Sequence, residues 1–329
     1  MRHIKILGIG SYTPPHKVSA EEIDQRLGVL PGWTKKTTGV LTRSFVTNET
    51  SVEMASFAIQ HALKDANLTI DDIDCIVSTS GTAAQAIPCT ASLIQEQLHA
   101  SDTGIPCFDI NSTCLSFVTG LDVISYMIEA GRYDRVLLVS SEIASVGLDW
   151  NNKESAALFG DGAVAVVIGK TPVGECSKII HSNMQTYSKG AHHSEILGGG
   201  TSKHPTRTEL STDDFLFKMN GKAIFKLSSQ LLPDFFENAL RSSSLALDDI
   251  KLVIPHQASA MAMRIIQKKL GIKQGQFFNI IEHYGNMISA SIPMGIYEAI
   301  QQQKLQRGDK FMLLGTSAGL SIGGMILEY

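Results

Sequence analysis

The stretch ALKDANLTIDDIDCIVSTS, residues 62–80, occurs a second time in the chain as ALRSSSLALDDIKLVIPHQ, residues 239–257. The two copies align without a gap at an offset of 177 residues, so that the pair Asp71-Asp72 matches Asp248-Asp249. Each copy is typical of a helix end, a turn that carries the acidic pair, and a buried strand. A repeat of this length predicts two copies of one structural unit.

Shorter matches extend the repeat along the chain. LIQEQL (93–98) matches IIQKKL (265–270) at an offset of 172, and GRYDRVLLVSS (131–141) resembles RGDKFMLLGTS (307–317). Alternating helices and continuous apolar strands predict an α/β fold whose sheets are buried on both faces. We therefore predict two duplicated βαβ halves, residues 1–172 and 173–329, which pack as one body with pseudo-twofold symmetry.

The composition narrows the class of protein. Charged residues make up 18% of the 329 residues, against roughly 25% in typical globular proteins, which predicts a large buried fraction and an oligomer. A net charge of −4 without a basic run argues against a nucleic-acid partner. The apolar run in MRHIKILGIG is too short for a signal peptide and no run reaches the length of a membrane span, so we expect neither. Five cysteines without CxxC spacing predict a reduced, cytoplasmic protein without structural zinc.

A cysteine stands where an apolar run gives way to a helical pattern, in FDINSTCLSFVTG (108–120). At a helix N-terminus, the dipole and the free N–H groups favour a thiolate, so we expect a lowered pKa for Cys114. Adding the offset of 172 to Cys114 gives Asn286, which predicts that these two residues are symmetry-related. His256 follows a repeated strand at its carboxyl end, where ligands bind in α/β sheets. We predict that the three side chains converge on one site.

Each of these residues also has a structural interpretation. A junction cysteine is often a small buried hydrophobe, and an asparagine at a helix start is first of all an N-cap. Their coincidence at positions that the repeat relates favours chemistry.

Several motifs resemble those of the thiolase superfamily, in its β-ketoacyl-acyl carrier protein synthase III branch. They are NSTCLSF with Cys114, PHQAS with His256, YGNMISASIP with Asn286, FGDGA at 159–163 and GWTKKTTGV with Trp33. The resemblance runs from end to end. It implies a thiolase-like fold with the two halves packed as a five-layer αβαβα core.

The resemblance also implies a mechanism. Cys114 accepts an acyl group from an acyl-CoA thioester, and the backbone N–H groups of Cys114 and Ala318 hold the oxyanion. A malonyl thioester then loses CO₂, His256 and Asn286 stabilise the enolate, and a β-ketoacyl thioester leaves. No permanently bound cofactor and no metal is needed.

The resemblance assigns further residues to the mouth of the site and to a homodimer interface. Trp33, Lys36 and Lys153 would bind the adenine and phosphates of coenzyme A. Ile87 would wall the acyl pocket of the partner subunit.

Three departures from the family pattern weaken the case for docking of an acyl carrier protein. Met261 replaces an arginine after the HQA motif, Ser259 replaces an asparagine, and Thr37 replaces an arginine. We expect acyl-CoA to be a competent donor, the standard fatty-acid carrier to dock weakly unless Arg264 and Lys268 form another basic patch, and the pathway to be a specialised one such as secondary metabolism.

Alternative functions remain open at this stage. The same residues could pass the acyl group to an alcohol or amine without condensation, with His256 as general base. An inactive scaffold is a further alternative, although the intact set of Cys114, His256 and Asn286 argues against it. A nucleotide-binding turn at Gly8-x-Gly10 is opposed by Pro14-Pro15, which forbid the helix that would bind pyrophosphate. A histidine metal site in or near the polar stretch 188–214 would use residues without ligand spacing, namely His181, His192, His193 and His204.

Overall fold

The computed structural model describes residues 1–329, and its elements follow the repeat. The strands are β1 Ile4–Tyr12, β2 Lys17–Ser19, β3 Thr42–Ser44, β4 Cys75–Ser78, β5 Cys107–Asp109, β6 Arg135–Glu142, β7 Gly162–Lys170, β8 Lys178–Thr186, β9 Ser194–Glu195, β10 Lys218–Met219, β11 Leu252–Pro255, β12 Lys310–Ser317 and β13 Ser321–Glu328. The α-helices are α1 Ala20–Leu27, α2 Trp33–Thr38, α3 Ser51–Ala66, α4 Thr90–Gln97, α5 Ser116–Glu129, α6 Lys153–Ala156, α7 Gly221–Ser243, α8 Ala260–Lys269, α9 Ile281–Tyr284 and α10 Ser291–Gln301.

The two main sheets have matching topologies. The first sheet has the order β1-β7-β6-β4-β5 and the second has the order β8-β13-β12-β11. In both, the inner pair is parallel (β4 with β6, β11 with β12) and the next two pairings are antiparallel. Only the fifth position differs, because β5 pairs fully with β4 whereas β11 makes a single bridge there, from Val253 to Phe277. The sheets therefore confirm the predicted duplicated α/β fold.

The repeated acidic motif has the same local role in each half. α3 and α7 end on residues with left-handed backbones, Asn67 (φ 54°) and Ser244 (φ 57°), which are 177 positions apart. The following 3₁₀ turn is capped by the second aspartate of each pair, since Asp72 accepts from the N–H of Thr69 at 2.9 Å and Asp249 from that of Ala246 at 2.8 Å. These caps turn the chain from the helix into the buried strand.

The layers follow from how the helices pack. α5 and α10 lie between the sheets, in one core shared by residues of both, such as Leu121 on α5, Leu138 on β6 and Leu313 on β12. α3 and α4 cover the outer face of the first sheet, and α7 covers that of the second. The order is α-β-α-β-α, as the resemblance implied.

Three further features bear on the predictions. The predicted division at 172/173 falls between β7 and β8. The polar stretch 188–214 contains 3₁₀ turns, and β9 within it pairs with β10 in a two-stranded antiparallel sheet. None of the helices combines the length and apolar character needed to cross a bilayer.

Candidate active site

A cavity of about 620 Å³ lies between the two halves. Cys114, His256, Asn286 and Ala318 all line it, so the structure brings together the residues for which the sequence predicts chemistry. Most of the remaining lining is apolar, with Leu148 and Phe159 from the first half, and with Phe217 and Met219 from the segment at β10 in the second half. Such a lining suits an acyl chain and excludes much of the water.

Cys114 lies in a 3₁₀ turn, Thr113–Leu115, which runs directly into α5. The backbone N–H groups of Cys114 and Ala318 both face its sulfur. Burial nevertheless raises the pKa of the thiol to about 12, and the Glu142 carboxylate contributes to this rise. The expectation of a lowered pKa was therefore wrong for this structure, because loss of hydration in the cavity outweighs the two N–H groups.

His256 follows β11 directly, and its backbone N–H donates to the carbonyl of Leu314 on β12 at 2.8 Å. The residue is 5% exposed and its Nδ1 has no hydrogen-bond partner. Burial lowers the pKa of the ring to about 4, so the imidazole is neutral at neutral pH. The close approach of His256 requires Gly315, where a Cβ atom would lie 2.8 Å from the Cβ of the histidine.

Asn286 is held by the FGDGA segment of the other half. Its backbone N–H donates to the carbonyl of Leu158 at 3.0 Å, and its carbonyl accepts from the N–H of Gly160 at 3.1 Å. A Cβ atom on Gly160 would lie 2.3 Å from the carbonyl oxygen of Tyr284, so only glycine allows this contact. The motif thus fixes Asn286 in the cavity wall, and the side-chain Oδ1 accepts from the N–H of Ile288 at 2.9 Å.

The predicted symmetry between Cys114 and Asn286 is wrong. In the turn before α5, Asn111 Oδ1 accepts from the N–H of Thr113 at 2.8 Å, which is the counterpart of the bond from Ile288 to Asn286. Thr113 and Ile288 also share a left-handed backbone, with φ of 51° and 48°. The local offset is therefore 175 rather than 172, since three more residues are inserted between α8 and this turn. Asn286 corresponds to Asn111, and Cys114 corresponds to Ser289.

The residues carried over for coenzyme A and for the dimer lie outside this cavity. Trp33 begins α2 and packs, half-buried, on a cluster that also contains Phe159 of the cavity wall. Lys36 and Lys153 are exposed. Ile87 is 85% exposed, in the loop whose residues Ala83 and Ala84 border the cavity.

A smaller cavity of about 160 Å³ lies between α7 and α8 and shares the His256 wall with the larger one. Ser259, one of the departures from the family pattern, lines it and caps α8 by accepting from the N–H of Ala262 at 3.2 Å. Gly39, just after α2, lies directly against Ala260 of α8, so α2 is adjacent to the helix that lines this cavity.

Sequence reasoning missed three buried polar residues. Asp161 of FGDGA accepts from the N–H groups of Val46 and Ser145 at 2.9 Å each. Gln257 of PHQAS accepts from the N–H of Ile280 at 3.0 Å. Glu142 accepts from the hydroxyl group of Ser289 across the two halves. Asp161 directly precedes β7, Gln257 lies two residues after β11 and Glu142 ends β6, so their positions at the ends of apolar strands were the available signal.

No three metal-ligating side chains converge in the structure. Within the polar stretch, His192 pairs with Glu195 at 2.7 Å and His204 contacts the hydroxyl group of Thr206 at 2.8 Å.

The matched halves and the enclosed thiol define a duplicated α/β fold with a candidate nucleophile in the cavity between its halves. The family description "3-Oxoacyl-[acyl-carrier-protein (ACP)] synthase III" matches residues 108–188, and its C-terminal counterpart matches residues 240–329. The β-ketoacyl-[acyl-carrier-protein] synthase III of Oceanobacillus iheyensis is 32% identical over 328 residues, which cover 99% of both chains.

Solved structures agree with this match. The crystal structure of 3-oxoacyl-[acyl-carrier-protein] synthase III from Aquifex aeolicus has a TM-score of 0.89 at 30% identity and covers 99% of this chain and 100% of its own. That from Pseudomonas aeruginosa has a TM-score of 0.89 at 26% identity, covering 100% and 98%. The chain belongs to the β-ketoacyl-[acyl-carrier-protein] synthase III family of condensing acyltransferases.

Proposed function

We propose that this enzyme joins an acyl group to a malonyl thioester in two steps that both use Cys114. The observation that carries the proposal is the convergence of Cys114, His256, Asn286 and the Ala318 backbone on one apolar cavity. The first half, residues 1–172, supplies the nucleophile, and the second, residues 173–329, supplies the two side-chain donors.

In the first step, the sulfur of Cys114 attacks the carbonyl carbon of an acyl-CoA thioester. The new carbon–sulfur bond replaces the one to coenzyme A, whose thiol leaves with the proton that Cys114 gives up. The N–H groups of Cys114 and Ala318, which face the sulfur, are placed to stabilise the oxyanion of the tetrahedral intermediate.

In the second step, a malonyl thioester loses CO₂ and the electron pair of the broken carbon–carbon bond moves into an enolate. His256 and Asn286 donate hydrogen bonds to the enolate oxygen. The enolate carbon attacks the acyl group, and Cys114 leaves and regains a proton. Because burial keeps the imidazole neutral, His256 acts as an uncharged donor. No permanently bound cofactor takes part in this scheme.

Intact-mass measurement after incubation with a panel of acyl-CoA thioesters tests the first step. We expect one acyl adduct per chain in the native enzyme and none in Cys114→Ala. An adduct that persists in the variant would contradict the assignment. A native enzyme that loads but transfers the acyl group to an alcohol or amine, and never condenses, would favour the alternative transferase.

The smaller cavity is the proposed path of the phosphopantetheine arm, since it reaches His256 between α7 and α8. Its neighbour α2 carries Trp33 and Lys36, which would contact the adenine and phosphates of coenzyme A together with Lys153. Comparing KM for acyl-CoA with KM for the bare acyl-pantetheine tests this, because Trp33→Ala should raise only the first. Equal effects on both substrates would remove Trp33 from the nucleotide site.

An acyl carrier protein is the second proposed donor, and its docking is disfavoured because Met261, 61% exposed, takes the place of a basic residue. We keep the expectation that acyl-CoA is the better first donor. Met261→Arg should increase the loading rate from acyl carrier protein and leave that from acyl-CoA unchanged. Fast, salt-sensitive loading from the carrier by the native enzyme would contradict it.

We also propose a homodimer. The outer edge of β5 is unpaired, and the nearby loop exposes Ile87 beside an open side of the cavity at Ala83 and Ala84. A second copy would pair the edge and place Ile87 over the acyl pocket. Light scattering should give twice the 35.6 kDa of one chain, and a monomer at micromolar concentration would refute the dimer.

A further inference from the structure

Glu142 is a fully buried carboxylate at the end of β6, and the two proposed steps leave it without a role. Its oxygens accept hydrogen bonds from the N–H of Gly81, from the N–H and hydroxyl of Thr82 at 3.2 and 2.6 Å, and from the hydroxyl of Ser289. All four partners donate, so the arrangement fits the ionised carboxylate. Burial alone would favour the neutral acid and raises the pKa of Glu142, but the donors oppose that rise.

These bonds join the two halves next to the turn that carries Cys114. Gly81 and Thr82 belong to the loop after β4 in the first half. Ser289 belongs to the turn Ile288–Ala290, which begins two residues after Asn286. A loosened Ser289 would therefore release the segment that positions the Asn286 side chain.

The carboxylate also lies close to the cysteine turn, since a Cβ atom on Gly81 would lie 3.2 Å from Glu142 Oε1 and 3.3 Å from the carbonyl carbon of Thr113, the residue before Cys114. Its charge contributes to the raised pKa of Cys114, and no other charged group contributes. The elements packed on the cysteine turn are β12, the turn 288–290 and the start of α5, and none of them has a charged side chain at the end that meets Cys114. The other titratable groups that line the cavity are His256, which is neutral, and Glu195, which pairs with His192.

We propose that Glu142 is a positioning residue of this enzyme, which fixes Asn286 through Ser289 and whose negative charge acts on the thiol of Cys114. The inference rests on the proposed roles of Cys114 and Asn286. A thiol with a high pKa is unreactive toward alkylating agents and oxidants.

The same charge makes Cys114 a poorer leaving group once it is acylated. In hydrolysis, the oxygen of water attacks the acyl carbon, the carbon–sulfur bond breaks, and the sulfur takes up a proton. Departure is slower for a thiol of higher pKa. Glu142 therefore slows hydrolysis of the acyl-enzyme, and it slows to the same degree the departure of Cys114 when the enolate attacks.

The charge is tested by the pH dependence of iodoacetamide alkylation at Cys114, followed by intact mass. An ordinary thiol titrates near pH ~8.5, and we expect the native midpoint to lie above that value. Glu142→Gln should move the midpoint down by about one unit, which is about tenfold faster alkylation at pH 7.5. The acyl-enzyme of this variant should also hydrolyse faster.

Matched variants separate charge from geometry. Glu142→Asp keeps the charge with a shorter reach, and Ser289→Ala and Thr82→Val each remove one donor. We expect all three to retain the native alkylation midpoint, while Glu142→Asp and Ser289→Ala slow malonyl decarboxylation several-fold more than acyl loading.

A Glu142→Gln profile that overlays the native one would overturn the proposal. So would a native midpoint below that of an ordinary thiol, which requires no variant and decides the case if Glu142→Gln fails to fold. Native enzyme that forms no acyl adduct would instead contradict the proposed function itself, and the two failures are thus distinct.

Discussion

The turn that carries Cys114 and the turn that carries Ser289 have the same backbone and different chemistry. Besides the paired asparagines, Ser116 Oγ accepts from the N–H of Ser112 at 2.9 Å and Ser291 Oγ accepts from that of Met287 at 3.0 Å. Both turns hold a β-branched residue at positive φ, at a cost on the order of 1–3 kcal/mol each. The duplication has kept the strained scaffold and changed the side chain at its tip.

The residues at the ends of the neighbouring strands also differ between the two halves. His256 follows β11, whereas its counterpart 177 positions earlier, Thr79, follows β4 and bonds to the hydroxyl of Ser140 at 2.9 Å. Glu142 ends β6, whereas Ser317 ends β12. One copy of the site thus has a thiol near an unpaired imidazole, and the other is closed by hydrogen bonds. Of the two equivalent positions, only that of Cys114 therefore has a neighbouring side chain that is free to take part in chemistry.

The largest difference is expected between alanine substitutions at the two equivalent turn residues, Cys114 and Ser289. Cys114→Ala should reduce formation of acyl-enzyme by at least ~10³-fold, because no other group can hold the acyl chain. Ser289→Ala, at the equivalent position, should still form the adduct. Intact mass after acyl-CoA treatment measures both, and loss of loading in both variants would make the two tips functionally alike.

The paired asparagines should differ next. Asn286→Ala is expected to lower malonyl decarboxylation by about 10²-fold, the usual effect of removing an oxyanion-type donor, with acyl loading retained. Asn111→Ala removes an acceptor for Thr113 and a donor to the carbonyl of Gly81. It should slow loading and lower the free energy of unfolding by about 1 kcal/mol. Decarboxylation that falls equally in both would erase the distinction.

His256 should make stability depend on pH, whereas Thr79 contributes nothing. Its pKa is about 4 in the folded protein and about 6.5 when unfolded. Between these values the unfolded chain binds more protons, so the free energy of unfolding rises with pH and levels off above about pH 6.5.

The expected gain over this window is about 3 kcal/mol. Denaturant unfolding of the native protein and of His256→Gln at several pH values measures it, and carboxyl groups such as Asp161 cancel in the difference. Parallel curves for the two proteins would show that the imidazole is not buried in the neutral form.

The smallest difference concerns the two helix ends. Ser244 and Asn67 occupy equivalent left-handed positions, and asparagine tolerates this backbone better than serine. Ser244→Gly should therefore stabilise the protein by about 0.5 kcal/mol, and more than Asn67→Gly does. Thermal unfolding of both variants tests the order, and a larger gain at Asn67 would reverse the comparison.

Much of this architecture could be predicted from the sequence because the two copies of the repeat are still similar where helix caps and buried strands constrain them. Asp72 and Asp249 cap equivalent turns, and this shared role accounts for the similarity of the 62–80 and 239–257 sequences. The repeat predicted the convergence of Cys114, His256 and Asn286 on one site, although the offset of 172 used to relate Cys114 to Asn286 was wrong. The symmetry partner of Cys114 was missed because three extra residues precede the second turn. Nothing in the sequence identifies these residues as an insertion.

The electrostatics were also missed. A helix start predicts a lowered thiol pKa only if the thiol keeps its water, and the enclosure of Cys114 depends on residues from both halves. Glu142 sits at the end of an apolar strand in the sequence, and nothing local reveals that its donors come from Gly81 and from Ser289, 61 residues before it and 147 after it.

The backbone bridge between Phe159 and Asn286 has a consequence for the synthesis of the enzyme. Asn286 takes its place only when the later-translated half has docked on a segment translated more than a hundred residues earlier. On the proposed mechanism, the first half supplies Cys114, and the second half supplies both donors to the enolate. On that mechanism, acyl loading depends on residues that are translated early, whereas condensation requires that the later-translated half has docked on them.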